Sequence, residues 1–203
     1  MKIAGAIIAG VAALGVFATA AADDETELFV QGILDEAEPH LGAPTEKERF
    51  DGIADLVAEY VDMRRVSRFV LGQYARKLTD DQKAAYDPLF RQYATQVYQN
   101  VLSEYAGETL KVTGSVDRST RDIIVNSKIA NPAPGSNFAD IVVHWRVYRN
   151  RDGELAVVDA GADNVWLALE QRSTFTSVIA NNGGPPAGVD ALIADLQTKT
   201  GNR

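Results

Sequence analysis

Apolar residues in the first half of the chain recur with a helical period, and from residue 109 the period changes to two. Between 26 and 41 they fall at Val30, Ile33, Leu34, Ala37 and Leu41, one stripe of a helix. Leu41-Gly42-Ala43-Pro44 breaks that stripe, and Thr45-Glu46-Lys47-Glu48 follows as a capping box, with hydroxyl and carboxylate spaced to satisfy free amides at a helix start. The helix it opens buries Phe50, Ile53, Val57 and Val61. Asp62 is placed to cap a short third helix that bears Val66, Phe69 and Val70 and ends at Gly72. Thr79-Asp80-Asp81-Gln82 is a second capping box, opening a helix of about 25 residues. Its apolar positions, from Tyr86, Leu89 and Phe90 through Tyr93, Val97 and Tyr98 to Val101, Leu102 and Tyr105, make a stripe wide enough to face two neighbours. Pro88 lies in its early turns and Gly107 closes it.

Residues 109–116, 122–130, 139–149 and 155–162 then read as strands. The third is the clearest: Ile141, Val143, Trp145 and Val147 alternate with Val142, His144, Arg146 and Tyr148. Asn150-Arg151-Asp152-Gly153 is a hairpin turn into the fourth strand, and 131–136 form a loop between the second and third. Two helices follow, over 164–180 and 189–198, separated by Asn181-Asn182-Gly183-Gly184-Pro185-Pro186. The expected class is α+β: a four-stranded antiparallel meander with helices before and after it.

The N-terminus has a different character. A basic start, Met1-Lys2, leads into an uncharged apolar run over 3–17, then small residues to Ala22 and the acidic Asp23-Asp24-Glu25. That order is a secretory signal peptide, cleaved after Ala20 or Ala22; the run is shorter than the roughly 20 residues a membrane span needs. Residues 1–22 are thus expected to be a signal peptide and 23–203 one domain, about 180 residues with a substantial core. There is no cysteine, hence no disulfide or thiolate chemistry. The formal charge of −8 argues against nucleic acid or an anionic lipid surface as direct partner.

Candidate chemistry is sparse. The two histidines, His40 and His144, have neither metal-site spacing nor a cysteine to join them, so no metal is expected. His40 is expected to be exposed at a helix end, and His144 to be an exposed or hydrogen-bonded strand residue opposite the apolar set. No nucleophile elbow or phosphate loop occurs. Asp159, after Val157-Val158, could be a catalytic carboxylate, but a buried acceptor for backbone amides or for Arg172 fits better. Arg64, Arg65 and Arg68 read as a solvated helix face paired with acids such as Glu59. What stands out is an aromatic surplus (Tyr93, Tyr98, Tyr105, Trp145, Trp166, Phe175) on elements that should converge. Periodicity does not separate a filled core from a lined cavity.

Three segments in order carry a resemblance. Leu71-Gly72-Gln73-Tyr74-Ala75-Arg76 stands just before Leu78-Thr79-Asp80-Asp81-Gln82. Phe90, Tyr98 and Leu102 lead into Tyr105-Ala106-Gly107-Glu108. Val157-Val158-Asp159 precedes Gln171-Arg172 and Phe175. Over residues 45–200 the chain resembles the MlaC family, also called the toluene-tolerance Ttg auxiliary family, of periplasmic phospholipid-binding proteins. It departs from that family after the aspartate strand, where Asn164-Val165-Trp166 stands in place of Gly-Val-Ser, so Trp166 adds bulk near the expected cavity.

The resemblance implies a sheet and helices around an apolar cavity, and a periplasmic phospholipid carrier rather than an enzyme. No cofactor is implied; phospholipid is the cargo. The partners it implies are an inner-membrane MCE-domain ring with its ABC transporter and an outer-membrane lipoprotein–porin complex, the carrier itself a monomer that serves outer-membrane lipid asymmetry. About 30 methylenes in two acyl chains, each gaining roughly 0.8 kcal/mol on leaving water, make free lipid vanishingly rare and a carrier with docking partners necessary. The expected cavity wall is Tyr98, Val101, Leu102, Tyr105, Val143, Trp145, Val147, Val165, Trp166, Phe175, Val178 and Ile179. The competing expectation is an exported α+β hydrolase or isomerase using His144 and Asp159 as an acid–base pair. The leader makes one prediction: N-terminal sequencing of the exported protein should read from Ala21 or Asp23, and a full-length, membrane-embedded product would overturn the signal-peptide assignment.

Overall fold

The computed structural model describes residues 20–103, 109–132, 140–163 and 165–201. Four helices come first: α1 (Ala20–Leu41), α2 (Glu46–Tyr60), α3 (Met63–Leu71) and α4 (Asp80–Ser103), with a 3-10 turn at Gly72–Tyr74. Five strands come next, β1 (Leu110–Ser119), β2 (Asp122–Ile129), β3 (Val143–Arg149), β4 (Leu155–Ala162) and β5 (Val165–Trp166). Two helices close the chain, α5 (Leu167–Asn181) and α6 (Ala187–Gly201).

The helix starts form as their side chains dictate. The Thr45 hydroxyl accepts from the Glu48 amide at 3.2 Å, and the Glu48 carboxylate accepts from the Thr45 amide at 3.2 Å. Thr79 and Gln82 repeat the exchange at the start of α4. Gln82 also donates to the Pro186 carbonyl at 3.0 Å and to Asp190 at 2.7 Å, which fastens α4 to the start of α6. Asp62 caps α3 by accepting from the Arg65 amide.

The strands pair antiparallel in chain order, β1 to β5, so the sheet has five strands and not the expected four. The extra strand is two residues long, Ala162 pairing with Val165 and Gly161 with Trp166. A strand that short has no alternation to read, and it takes Val165 and Trp166 out of the first turn of the helix expected over 164–180. β3 also begins later than expected, at Val143; residues 133–139 lie outside those described. The β3–β4 turn is as anticipated: the Asn150 side chain accepts from the Asp152 and Glu154 amides at 2.9 Å each, and Gly153 takes φ +91°.

Both sheet faces are used. On the inner face, β2 and β3 pair Ile123 with Val147 and Val125 with Trp145. These residues pack with Val30 and Leu34 of α1 in one apolar cluster. A second cluster joins α2 to α6 with the end of α1; Ile53, Tyr86, Phe90, Phe175, Ile179 and Leu192 are its large closed side chains. His40 differs from expectation: it is half-buried, its ring lying against Gly52 so closely that a side chain at 52 would collide with it.

Val147 is wholly enclosed beneath α1. Val147→Trp should therefore force strain of about 1–3 kcal/mol or more. The thermal midpoint should fall by several degrees, at roughly 2–4 °C per kcal/mol. An unchanged midpoint would show open volume between α1 and the sheet.

Candidate functional site

The outer sheet face is built by the alternate residues of the same strands. Asp122, Ile124 and Asn126 of β2 are half-buried there, opposite Tyr148, Arg146 and His144 of β3 in register. β4 continues the rows with Asp159 beside Arg146 and Gly161 beside His144. The register slips between Arg146 and Val147, which leaves Val158 as an extra residue and turns it toward the outer face.

α3 lies over one end of this face because both its ends are fastened. The Asp62 amide donates to the Val157 carbonyl at 3.0 Å, bringing the start of α3 onto β4. Near its C-terminus the Arg172 guanidinium donates to the Phe69 carbonyl at 3.3 Å and stacks on the Phe69 ring. Gly72, at φ +55°, lets α5 approach: a Cβ there would meet Thr176 and the Arg172 guanidinium at 3.2–3.3 Å. The Leu-Gly and Arg-x-x-Phe segments of the sequence thus meet at one contact.

Between α3 and the sheet is a cleft of about 440 Å³, within the size range of small-ligand sites. It is lined by Asp62, Arg64, Arg65, Arg68 and Phe69 from the α3 side and by Asp122, Arg146, Tyr148, Val158 and Asp159 from the sheet. Arg146 makes two bonds of 2.8 Å to the Asp122 carboxylate. That contact holds Asp122 below the usual carboxylate range and the guanidinium above its own. Arg65 lies 3.5 Å from the Tyr148 ring centre and 3.5 Å from Asp62, not against Glu59 as expected.

Asp159 is enclosed, 3% exposed, at the cleft floor. One of its oxygens accepts from the Ala160 and Ala168 amides at 2.9 Å each, the structural role favoured from the sequence, with amides and not Arg172 as partners. Burial raises its pKa; the two amides and then Arg146 act the other way. Tyr98 of α4 lies within reach of this charge: burial first, and then Asp159, hold its hydroxyl proton on.

His144 is hydrogen-bonded to Asn126 at 2.7 Å and stacked on Trp166, ring centres 5.7 Å apart. Gly161 between them makes the stack possible, since a Cβ there would strike the Val165 carbonyl and the Trp166 ring. His144 and Asp159 share the outer face, but Arg146 stands opposite Asp159 and each member of the supposed acid–base pair is engaged elsewhere.

The expected wall residues do not converge. Val143, Trp145 and Val147 are on the inner face under α1, away from the cleft; the Trp145 indole donates to buried Ser127 at 2.9 Å. Phe175 and Ile179 are enclosed in the helical cluster, with Val178 and Tyr98 against it. Val101 and Val165 are exposed. Trp166 is on the outer face. Tyr105 and the Leu102 side chain lie outside the described residues. The cleft among the described residues carries charged groups as well as Phe69, Tyr148 and Val158, and the expected apolar cavity is not shown. Arg146, Tyr148 and Asp122 line the cleft from the polar half of the β3 alternation and its β2 partner, whereas the expected wall draws on the apolar half. The available signal was the number of helices, too many for one sheet face. Among the described residues no group of three or more His, Asp or Glu could hold a metal, and no helix is long and apolar enough to cross a membrane.

These features define an α+β protein with a helix-covered sheet and a charged cleft on its outer face. The chain matches the MlaC protein family over residues 30–198 and belongs to that family. It also resembles a phospholipid-binding protein of Ralstonia solanacearum, solved in complex with a phospholipid: 19% identity, 86% of this chain and 96% of that one covered, TM-score 0.69. At that identity the likeness is one of fold.

The two cleft carboxylates should leave opposite pH signatures. The raised pKa of Asp159 means the folded state holds its proton more tightly, so its contribution to stability declines as pH rises above about 4. The lowered pKa of Asp122 means its contribution is present above about 4 and lost as pH falls. Asp159→Asn, which keeps the acceptor oxygen, should match the parent midpoint in acid and gain on it toward neutrality. Asp122→Asn should lose most at neutrality and least in acid. Midpoints from pH 3 to 8 that run parallel for all three proteins would refute these assignments.

Proposed function

We infer that this protein is a periplasmic phospholipid carrier, exported by a cleaved signal peptide. In this reading it ferries lipid between an inner-membrane MCE-domain complex with its ABC transporter and an outer-membrane lipoprotein–porin complex, and so maintains outer-membrane lipid asymmetry. The observation that carries it is membership of the MlaC family over most of the chain. The fold shared with a phospholipid-binding protein supports it.

The lipid enters at the cleft between α3 and the outer sheet face. Phe69, Tyr148 and Val158 offer apolar and aromatic surface there, and half-buried Ile124 and Trp166 extend it along the face. Of the expected wall, Trp166 lies on this outer face and Tyr98 packs against the helical cluster. On the inner face α1 packs against β1 and β2, and Val147 is wholly enclosed. Acyl chains on the outer side lose contact with water without opening either apolar cluster, which preserves the close packing on which stability depends.

Native mass spectrometry of the protein purified after export, with solvent extraction of the same sample, tests the reading. The mass should exceed that of the polypeptide by one or more phospholipids, and extraction should recover them. A bare polypeptide mass that stays bare after incubation with phospholipid vesicles would sink the carrier.

A further inference from the structure

We propose that Arg64 and Arg68 form a phosphate-binding pair at the rim of the cleft, which takes the phosphodiester of the bound lipid. The proposal rests on the carrier reading and adds a headgroup contact to it. The two residues are one turn apart on α3, on the same side of the helix, and both are exposed lining residues of the cleft.

The charges around them are already matched, and theirs are not. Of the four arginines lining the cleft, Arg146 is engaged by Asp122 through two bonds, and Arg65 by Asp62 and the Tyr148 ring. Asp159, the third acid, spends one oxygen on the Ala160 and Ala168 amides. Among the described residues no carboxylate lies within salt-bridge distance of Arg64 or Arg68. Arg64 is in the first turn of α3, where the helix dipole disfavours a cation and favours an anion. Three arginines without an acid on nine residues run against a chain whose formal charge is −8. A phosphate between them would be met by two guanidinium forks, while its acyl chains reach the apolar part of the same cleft.

The test uses the delipidated mature protein and vesicles holding equal amounts of phosphatidylglycerol and a diacylglycerol with the same acyl chains. The parent should take up phosphatidylglycerol about tenfold or more in preference, since one charge-assisted bond is worth at least that factor. Arg64→Gln with Arg68→Gln should bring the ratio near one by lowering phosphatidylglycerol uptake, with the thermal midpoint unchanged because both side chains are exposed. A parent ratio near one, or a ratio the double variant leaves unchanged, overturns the proposal while the carrier stands. Failure of the parent to take up either lipid overturns the carrier reading itself. Titration with inorganic phosphate separates the sources: phosphate binding that the double variant loses, in a parent with no phosphatidylglycerol preference, would make this a free-phosphate site and overturn the lipid contact, whereas the preference without phosphate binding supports it.

Discussion

The bond from the Ala168 amide to the Asp159 carboxylate joins the two halves of this protein. α5 starts at Leu167 behind Trp166, whose side chain makes no capping bond, so the helix has no local acceptor for its first free amides. Asp159, on a neighbouring strand, supplies one and places a carboxylate at the positive end of the helix. Three further contacts depend on α5 being held there. Its Arg172 binds the last turn of α3, its Phe175 fills the helical cluster against Phe90 and Tyr93, and α3 in turn forms one wall of the cleft. A buried acid with a raised pKa is a cost, and this one is retained where it organises the sheet, α5 and the floor of the cleft together.

Much of the fold was legible because it is specified locally. Thr45 with Glu48, Asp62, and Thr79 with Gln82 each mark a helix start by a side chain that reaches only three residues. The alternation in β3 and the Asn150–Gly153 turn are equally short in range. Family membership was legible too, through segments that the structure brings together at Gly72 and Arg172. β5 was not, since a two-residue strand exists only by pairing with Gly161 and Ala162.

The site was legible only as separate residues. Alternation divides β3 into two sets but does not say which set meets a helix that packs tightly and which meets a cleft. That depends on α1 lying on the Val147 side, a contact between segments far apart in the chain. The Arg146–Asp122 pair depends on the β2–β3 register, and the Arg65–Tyr148 stack on how α3 lies over the sheet. The arginines of α3 look like an ordinary solvated face until it is seen which acids are already engaged.

The division between the faces has a physical consequence for a lipid carrier. Acyl chains and core side chains are chemically alike, so a protein that admits lipid must keep the lipid from dissolving into its own core. Here Val147 of the inner face and Phe175 and Ile179 of the helical cluster are wholly enclosed. The outer face is only half-buried and mixes Ile124, Tyr148 and Trp166 with charged and hydrogen-bonded neighbours. Apolar groups there gain from a ligand's chains, yet the polar ones keep their partners when the chains leave. The polar groups of such a face keep their partners in both states, whereas a large exposed apolar patch is an aggregation liability when empty. In the proposed carrier, a charged lining of this kind serves loading and release without unfolding.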